Sequence, residues 1–306
     1  MTCSLYHGDC LDIMPALPAG SVDLVLCDPP YGIIKGMNLG RRDSQTTAWD
    51  DALNPDDIFV QCERLLRVNG AMVLFSKEPN TSQLITRAHG NLPFSYRMVW
   101  KKEHFSRPLI AGKAPVSVFE DVLVFFKKYD SEKRHPLREY SRRVLAFSGM
   151  KSCKAVNKVL GHCRAEHFFR HDTMQFGLCS RDTYNELISR FGIGRMDGFL
   201  TFDEMVDIHR RFSARVFNLP SGKKHKTDVL EYACDRKRYH PTQKPTALLE
   251  DLIVTYSNPG DMVLDFTMGS GSTGVACSRT GRCFIGIEKE DRYFTIAGQR
   301  LQQELT

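Results

Sequence analysis

The chain has no Cys-x-x-Cys pair among its ten cysteines and no basic-then-apolar leading segment. Nor does any apolar run approach the ~18 residues of a spanning helix. Each absence excludes something. Scattered thiols without a close pair fit reduced cysteines better than a disulfide framework. MTCSLYHGDC does not read as a signal segment, so a cytoplasmic protein without membrane attachment is expected. Cys153, Cys163, His167, His171 and Cys179 share one region but lack the close cysteine spacing of a zinc site. They read as packing residues, and no metal is expected. Repeats and low-complexity tracts are also missing, and the two tryptophans, Trp49 and Trp100, read as packing residues.

What is present is an ordinary globular composition, 42% hydrophobic and 25% charged, with length enough for a large core. The net charge of +6 is unevenly spread. Residues 131–240 hold 22 Lys/Arg against 13 Asp/Glu, whereas the rest hold 20 against 23. A basic middle in a mildly acidic body suggests a polyanionic partner, or else a solvated basic surface.

Apolar runs alternate with helical patterns on both sides of that middle. Residues 22–27 (VDLVLC), 71–76, 96–101 and 118–126 read as strands. Between them, Asn54 and Pro55 suit the start of a helix carrying Ile58, Phe59, Cys62, Leu65 and Leu66 on one face, with Asn69-Gly70 as its stop. Residues 81–89 and 246–257 read as helices, and 262–266 and 283–288 as strands. Residues 131–215 are instead polar, basic and helical in period. Ser180 suits a helix cap before Tyr184, Leu187, Ile188 and Phe191, and Thr201-Phe-Asp-Glu204 has capping-box form. The expected organisation is an α/β domain, 1–130 with 216–306, interrupted by a basic, mostly helical insertion.

Three motifs carry chemistry. Asp28-Pro29-Pro30-Tyr31 closes the strand at 22–27. Its prolines stiffen the turn, so the Asp28 carboxylate and Pro29 carbonyl can accept from a planar amino group while Tyr31 offers a stacking face. Asp265-Phe-Thr-Met-Gly269-Ser-Gly271-Ser-Thr-Gly274 follows a strand and opens a helix, and Glu288 ends the next strand. That is a close-approach turn with an acid placed for ribose hydroxyls, an outline a NAD site shares. His240-Pro-Thr-Gln-Lys-Pro245 precedes a helix and on its own reads equally as a rigid turn.

Taken in this order, the motifs resemble the β-class amino-methyltransferases of DNA, over nearly all of the chain outside 131–215, with Gly8-Asp9-Cys10 included. The resemblance implies a permuted Rossmann-like sheet with helices on both faces. Residues 262–266 would form its central strand, flanked by 283–288 and then 4–8 on one side and by 22–27 on the other. It further implies S-adenosyl-L-methionine as cofactor, double-stranded DNA as partner, base flipping and direct methyl transfer, and it leaves a homodimer open. Asp28, Pro29, Pro30 and Tyr31 would form the target-base pocket. Glu288 would hold the cofactor ribose, with Asp9 and Cys10 near its adenine. Asp265, Gly269, Ser270, Gly271 and Thr273 would line the methionine side, and His240, Thr242 and Lys244 would close the site. Asp ahead of the two prolines accompanies adenine-N6 transfer in that family, with cytosine N4 the nearest alternative. A catalytically idle DNA-binding protein on the same fold is a further one. One departure stands out: Thr267 follows Asp265-Phe266, where the family has Asp-Pro-Phe.

The insertion occupies the place of that family's target-recognition region and is similar to insertions of phage-borne adenine methyltransferases. Residues 155–161 and 164–169 have a helix, glycine turn, helix outline, with the helix at 180–191 behind them. Lys154, Lys158, Arg164, His167 and Arg170 are the expected DNA contacts there, and Arg41 and Arg42 are candidates for phosphate.

Overall fold

A computed structural model, describing residues 2–32, 51–106, 112–113, 115–220 and 222–305, builds the apolar runs into an eight-stranded sheet. The chain begins β1 (Cys3–His7), α1 (Cys10–Ile13), β2 (Val22–Cys27), α2 (Pro55–Leu65), β3 (Leu66–Ser76), α3 (Asn80–Thr86), β4 (Phe94–Ser106) and β5 (Ser117–Phe126). Five helices follow: α4 (Leu137–Phe147), α5 (Cys153–Leu160), α6 (Glu166–Phe169), α7 (Arg181–Phe191) and α8 (Phe202–Ser213). It closes with β6 (Val229–Glu231), α9 (Thr246–Tyr256), β7 (Met262–Asp265), α10 (Ser272–Thr280), β8 (Cys283–Glu288) and α11 (Asp291–Leu305).

The strand order is β1-β8-β7-β2-β3-β5-β4-β6. The strands from β1 to β3 are parallel, β5 runs antiparallel to both β3 and β4, and β6 is parallel to β4. This is the expected permutation, with the last two strands of the chain seated between the first two. From β2 the sheet grows outward through β3, and from β7 it grows the other way through β8. The crevice beyond the carboxyl ends of β2 and β7 is therefore the switch point where open α/β sheets bind ligands.

Alternation along the strands covers both faces. Leu24 and Leu26 of β2 pack with Leu248 and Leu252 of α9 and with Val275 of α10, all essentially buried. Val25 and Cys27 face the other way, toward Ile58, Phe59 and Cys62 of α2. Helix α2 starts as expected, with the Asn54 side chain accepting from Asp56 N at 3.2 Å and Pro55 in the first turn.

Two expectations about the elements are corrected. Asn69-Gly70 does not stop α2, which ends at Leu65 and runs directly into β3. The pair lies in an irregularity of β3, where the register against β2 jumps from Val22↔Leu66 to Leu24↔Ala71. Asn69 has φ 59° there, and a Cβ on Gly70 would lie 2.9 Å from the carbonyl oxygens of Asp23 and Arg67. Strand β6, three residues in a Lys/His-rich connection, is too short to show a period and was not expected.

Residues 129–214 form a compact unit of their own, and residues 1–128 with 215–306 form the other. The core of the 129–214 unit gathers Tyr140, Val144, Val156, Phe168, Tyr184, Leu187 and Met205. Tyr184 donates its hydroxyl to Leu200 O at 2.6 Å, and Thr201 and Glu204 complete the capping box of α8. The helix-turn-helix expectation fails. Helix α5 ends at Gly161 in the left-handed region as anticipated, but α6 is a single turn of four residues. Phe168 and Phe169 of that turn are buried in the unit's core, so α6 cannot serve as a recognition helix.

Candidate active site

At the switch point a cleft of about 450 Å³ is lined by parts of all three motifs. Asp28, Pro29, Pro30 and Tyr31 enter from the end of β2, and Asp265, Gly269, Ser270 and Thr273 from the turn after β7. Asp9 and Cys10 follow β1, Glu288 ends β8, and His240, Thr242 and Lys244 come from the segment before α9. The size suits a nucleotide-like ligand.

The two acidic strand ends are tied together. Thr267 Oγ1 donates to the Asp28 carbonyl at 3.3 Å and lies 3.0 Å from Cys27 Sγ, and its amide donates to Asp265 Oδ1 at 3.2 Å. Thr273 Oγ1 donates to Asp265 Oδ2 at 2.6 Å. The departure at Thr267 thus has a physical role, a hydroxyl bridging β2 and β7, while Phe266 is buried in the core. Both Glu288 oxygens accept backbone amides, from Gly269 and from Glu290, each at 2.8 Å. This fixes the glycine turn against the end of β8. The carboxylate is pushed above its ordinary range by burial, partly offset by those amides. Asp9 caps α1, accepting from Leu11 N at 2.9 Å. The His240 ring lies 4.2 Å from that of Tyr293, edge to face. Burial, together with Lys244 and Arg292, holds His240 down to about 4, so its ring is neutral in the physiological range.

Gly271 is the one expected cofactor residue that does not line the cleft. It has φ 77°, and a Cβ there would lie 2.9 Å from the Cβ of Ala297 on α11. Its glycine serves helix packing. Lys244 does line the cleft, but its ammonium hydrogen-bonds Asp28 Oδ2 and lies 3.2 Å from Glu120 Oε2. Tyr31 donates its hydroxyl to Asp28 Oδ1. Burial pushes the Asp28 carboxyl upward and the nearby Glu120 adds to that, against the pull of Lys244. Glu120 itself goes down to about 2, because Lys244 and Lys102 outweigh the cost of its burial. Glu120 and Lys102 were not anticipated from the sequence. The available signal was an acidic pair, Glu120-Asp121, near the start of an otherwise apolar strand.

Of the expected DNA contacts, Lys154, Lys158, Arg164 and His167 are exposed on the 129–214 unit. Arg170 is engaged with Glu166 at 2.5 Å, and Arg41 and Arg42 lie outside the described residues. The 129–214 unit holds 15 Lys/Arg against 11 Asp/Glu, and residues 215–240 hold 7 against 3. The basic excess is therefore shared between the insertion and the connection that returns from it.

Asp265 gives a pH test. Burial raises its carboxyl from 3.8 to about 6, with Asp28 adding to the shift and the Thr273, Cys27 and Thr267 hydrogen bonds opposing it. The folded protein then keeps this proton up to about pH 6, whereas the unfolded chain loses it near its ordinary value of 3.8. Stability from this group is full below the lower value and is lost as pH rises through the upper one. Relative to Asp265→Asn, the unfolding free energy of the parent protein is expected to fall by about 1–3 kcal/mol from pH 4 to pH 7. Urea titrations at several pH values check this; a difference constant with pH contradicts it.

A mixed sheet whose parallel part has a permuted order, with a glycine turn and an acid-Pro-Pro-Tyr strand end facing one cleft at its switch point, defines an α/β protein of the nucleotide-cofactor class. The chain belongs to the DNA methylase family, whose profile matches residues 22–299. A similar curated relative is the DNA adenine methyltransferase YhdJ of Escherichia coli (strain K12), 28% identical over 97% of this chain and 82% of that protein. Among solved structures, the M1.HpyAVI–SAM complex shares the fold with a TM-score of 0.54 at 21% identity, covering 98% of this chain and 99% of that one. The cytosine-N4-specific PvuII DNA methyltransferase shares it with a TM-score of 0.53 at 15% identity, covering 98% and 86%. Among the described residues no helix is long and apolar enough to cross a membrane.

Proposed function

We propose that this protein transfers a methyl group from S-adenosylmethionine to N6 of a flipped adenine in double-stranded DNA. The observation that carries the reading is the placement of Asp28–Tyr31 on the same cleft as the Asp265–Thr273 turn and Glu288. Asp265 and Glu288 border the cleft on either side of the glycine turn, where they suit a ligand with ribose hydroxyls and a cationic end. Glu288 would hold the ribose, Asp9 and Cys10 would flank the adenine, and Gly269, Ser270 and Thr273 would border the amino-acid end. The bound cofactor supplies a methyl carbon activated by its sulfonium.

Adenine N6 is a weak nucleophile because its lone pair is delocalised into the ring. Asp28 and the Pro29 carbonyl would each accept one amino proton, favouring a localised lone pair aimed along the cleft. Positive charge gathers on nitrogen as its bond to the methyl carbon forms and the carbon–sulfur bond breaks, and the Asp28 carboxylate would stabilise it until one amino proton leaves for water. The rest of the acceleration is positioning. A base within a duplex cannot reach the end of β2, so it must be extruded, and the Tyr31 ring can replace its lost stacking. The assignment to adenine rests on the Asp-Pro-Pro-Tyr pattern and on the name of the relative YhdJ. Cytosine N4 is the second reading, since the PvuII enzyme uses the same fold. Incubation with labelled cofactor and duplex DNA, followed by nucleoside chromatography, tests both. Label in N6-methyladenine supports the proposal; label in N4-methylcytosine replaces it with the second reading.

For the DNA surface, the exposed Lys154, Lys158 and Arg164 would contact phosphates. Replacing all three by Ala is expected to weaken duplex binding at least ~10-fold and to reduce the salt slope by roughly 2–3. Cofactor affinity should be unchanged. An unaltered Kd and slope would move DNA binding to the 215–240 connection.

A further inference from the structure

The charges behind the Asp28 carboxylate form a buried chain that the reaction as described does not use. Lys102, Glu120, Lys244 and Asp28 follow one another in contact, two cations alternating with two anions. Lys244 is buried and Glu120 largely so, with side-chain exposures of 6% and 12%. The Lys102 ammonium also stands 5.0 Å over the Trp100 ring. Glu120 Oε1 takes the hydrogen bond from Lys102. Glu120 Oε2 is buried and, among the described residues, accepts no hydrogen bond, although the Lys244 ammonium is only 3.2 Å away. Lys244 thus donates to Asp28 while a second carboxylate oxygen, solvent-excluded, lies within ion-pairing distance of the same ammonium.

This arrangement competes with an amino group reacting on Asp28. Both Asp28 oxygens are already engaged, Oδ1 by Tyr31 and Oδ2 by Lys244. An ammonium left on Oδ2 would also repel the positive charge that gathers on the attacking nitrogen and would cancel much of what the carboxylate gives. We propose that Glu120 is a positioning residue that takes the Lys244 ammonium when the target amino group docks, leaving Asp28 Oδ2 to the base. The move is a short pivot of one ammonium between two carboxylates. Neither position leaves the buried cation unpaired, which would be costly. Lys102 keeps Glu120 ionised and its Oε2 turned toward Lys244. The Phe75 ring, 5.1 Å from the Lys244 nitrogen, walls the path. Without a base, Lys244 returns to Asp28 and keeps that carboxylate paired.

The inference rests on the amino-methyltransferase reading, and its test separates the two. Glu120→Gln keeps the shape of the side chain and removes its charge, so Lys244 has only Asp28 to hold it. Turnover on duplex DNA is expected to fall roughly 10–100-fold, with the KM for S-adenosylmethionine within about threefold. In Glu120→Gln/Lys244→Gln no ammonium is left to stay on Asp28, and this double variant should turn over faster than Glu120→Gln alone. A merely structural Glu120 would make the double variant no faster. That outcome, or a Glu120→Gln turnover within about threefold of the parent, overturns the inference while leaving the methyltransferase reading intact. A parent protein that transfers no methyl group overturns both. Should Glu120→Gln fail to fold, a crystal structure of the parent with cofactor product and a docked base decides. Lys244 Nζ on Glu120 and off Asp28 supports the inference, and an ammonium still on Asp28 overturns it.

Discussion

Asp28→Ala is expected to lose about 10²–10³ in methyl-transfer rate while binding S-adenosylmethionine within about threefold of the parent. The carboxylate stands at the end of β2, and the turn that would hold the cofactor follows β7, so the substitution removes a group from only one wall of the cleft. Asp28→Asn keeps the acceptor oxygen but not the charge and should fall between the two. Single-turnover transfer of labelled methyl, with cofactor affinity measured separately, checks this. Near-normal turnover in Asp28→Ala would remove Asp28 from the chemistry.

Gly271→Val is expected to destabilise the protein by about 2–4 kcal/mol, from a left-handed backbone that valine resists and from overpacking. The new Cβ would lie 2.9 Å from Ala297 Cβ and 3.1 Å from its Cα, so α10 or α11 must shift. A shift of α10 displaces Ser272 and Thr273, which line the cleft, and Thr273 holds Asp265. Cofactor affinity should therefore fall as well. Gly298→Ala, on α11 with open space around its Cβ, is the control. It should be neutral or stabilising by up to about 1 kcal/mol, as expected for Gly→Ala within a helix. Urea unfolding of the two variants measures the contrast, and a Gly271→Val protein as stable as the parent contradicts the packing role.

The strands were legible in the sequence because strands buried on both faces leave unbroken apolar runs, whereas their permuted order and the meeting of the motifs came from the resemblance to the amino-methyltransferases of DNA. The motifs sit at the ends of those runs. Legibility failed where a residue's role depends on a partner distant in sequence. Read along the chain, Lys244 belongs with His240 and Thr242. In space its charge is claimed by Asp28 and Glu120, from strands more than a hundred residues earlier. Gly271 fits the pattern of a ligand-contacting glycine, and its close approach to Ala297 on α11 could not be read from that pattern. Asn69-Gly70 has the composition of a helix stop, and only pairing with β2 shows it to be an irregularity inside a strand. The helix outline at 164–169 failed because Phe168 and Phe169, which support a helical period, turn into the core after one turn.

The most direct test is to incubate the protein with S-adenosylmethionine and unmodified genomic DNA and read the product by single-molecule sequencing. The expected result is N6-methyladenine throughout the DNA at positions sharing a short context, strongly reduced when Asp28→Ala replaces the parent. N4-methylcytosine instead, or no modified base from a folded protein that binds the cofactor, would contradict the account.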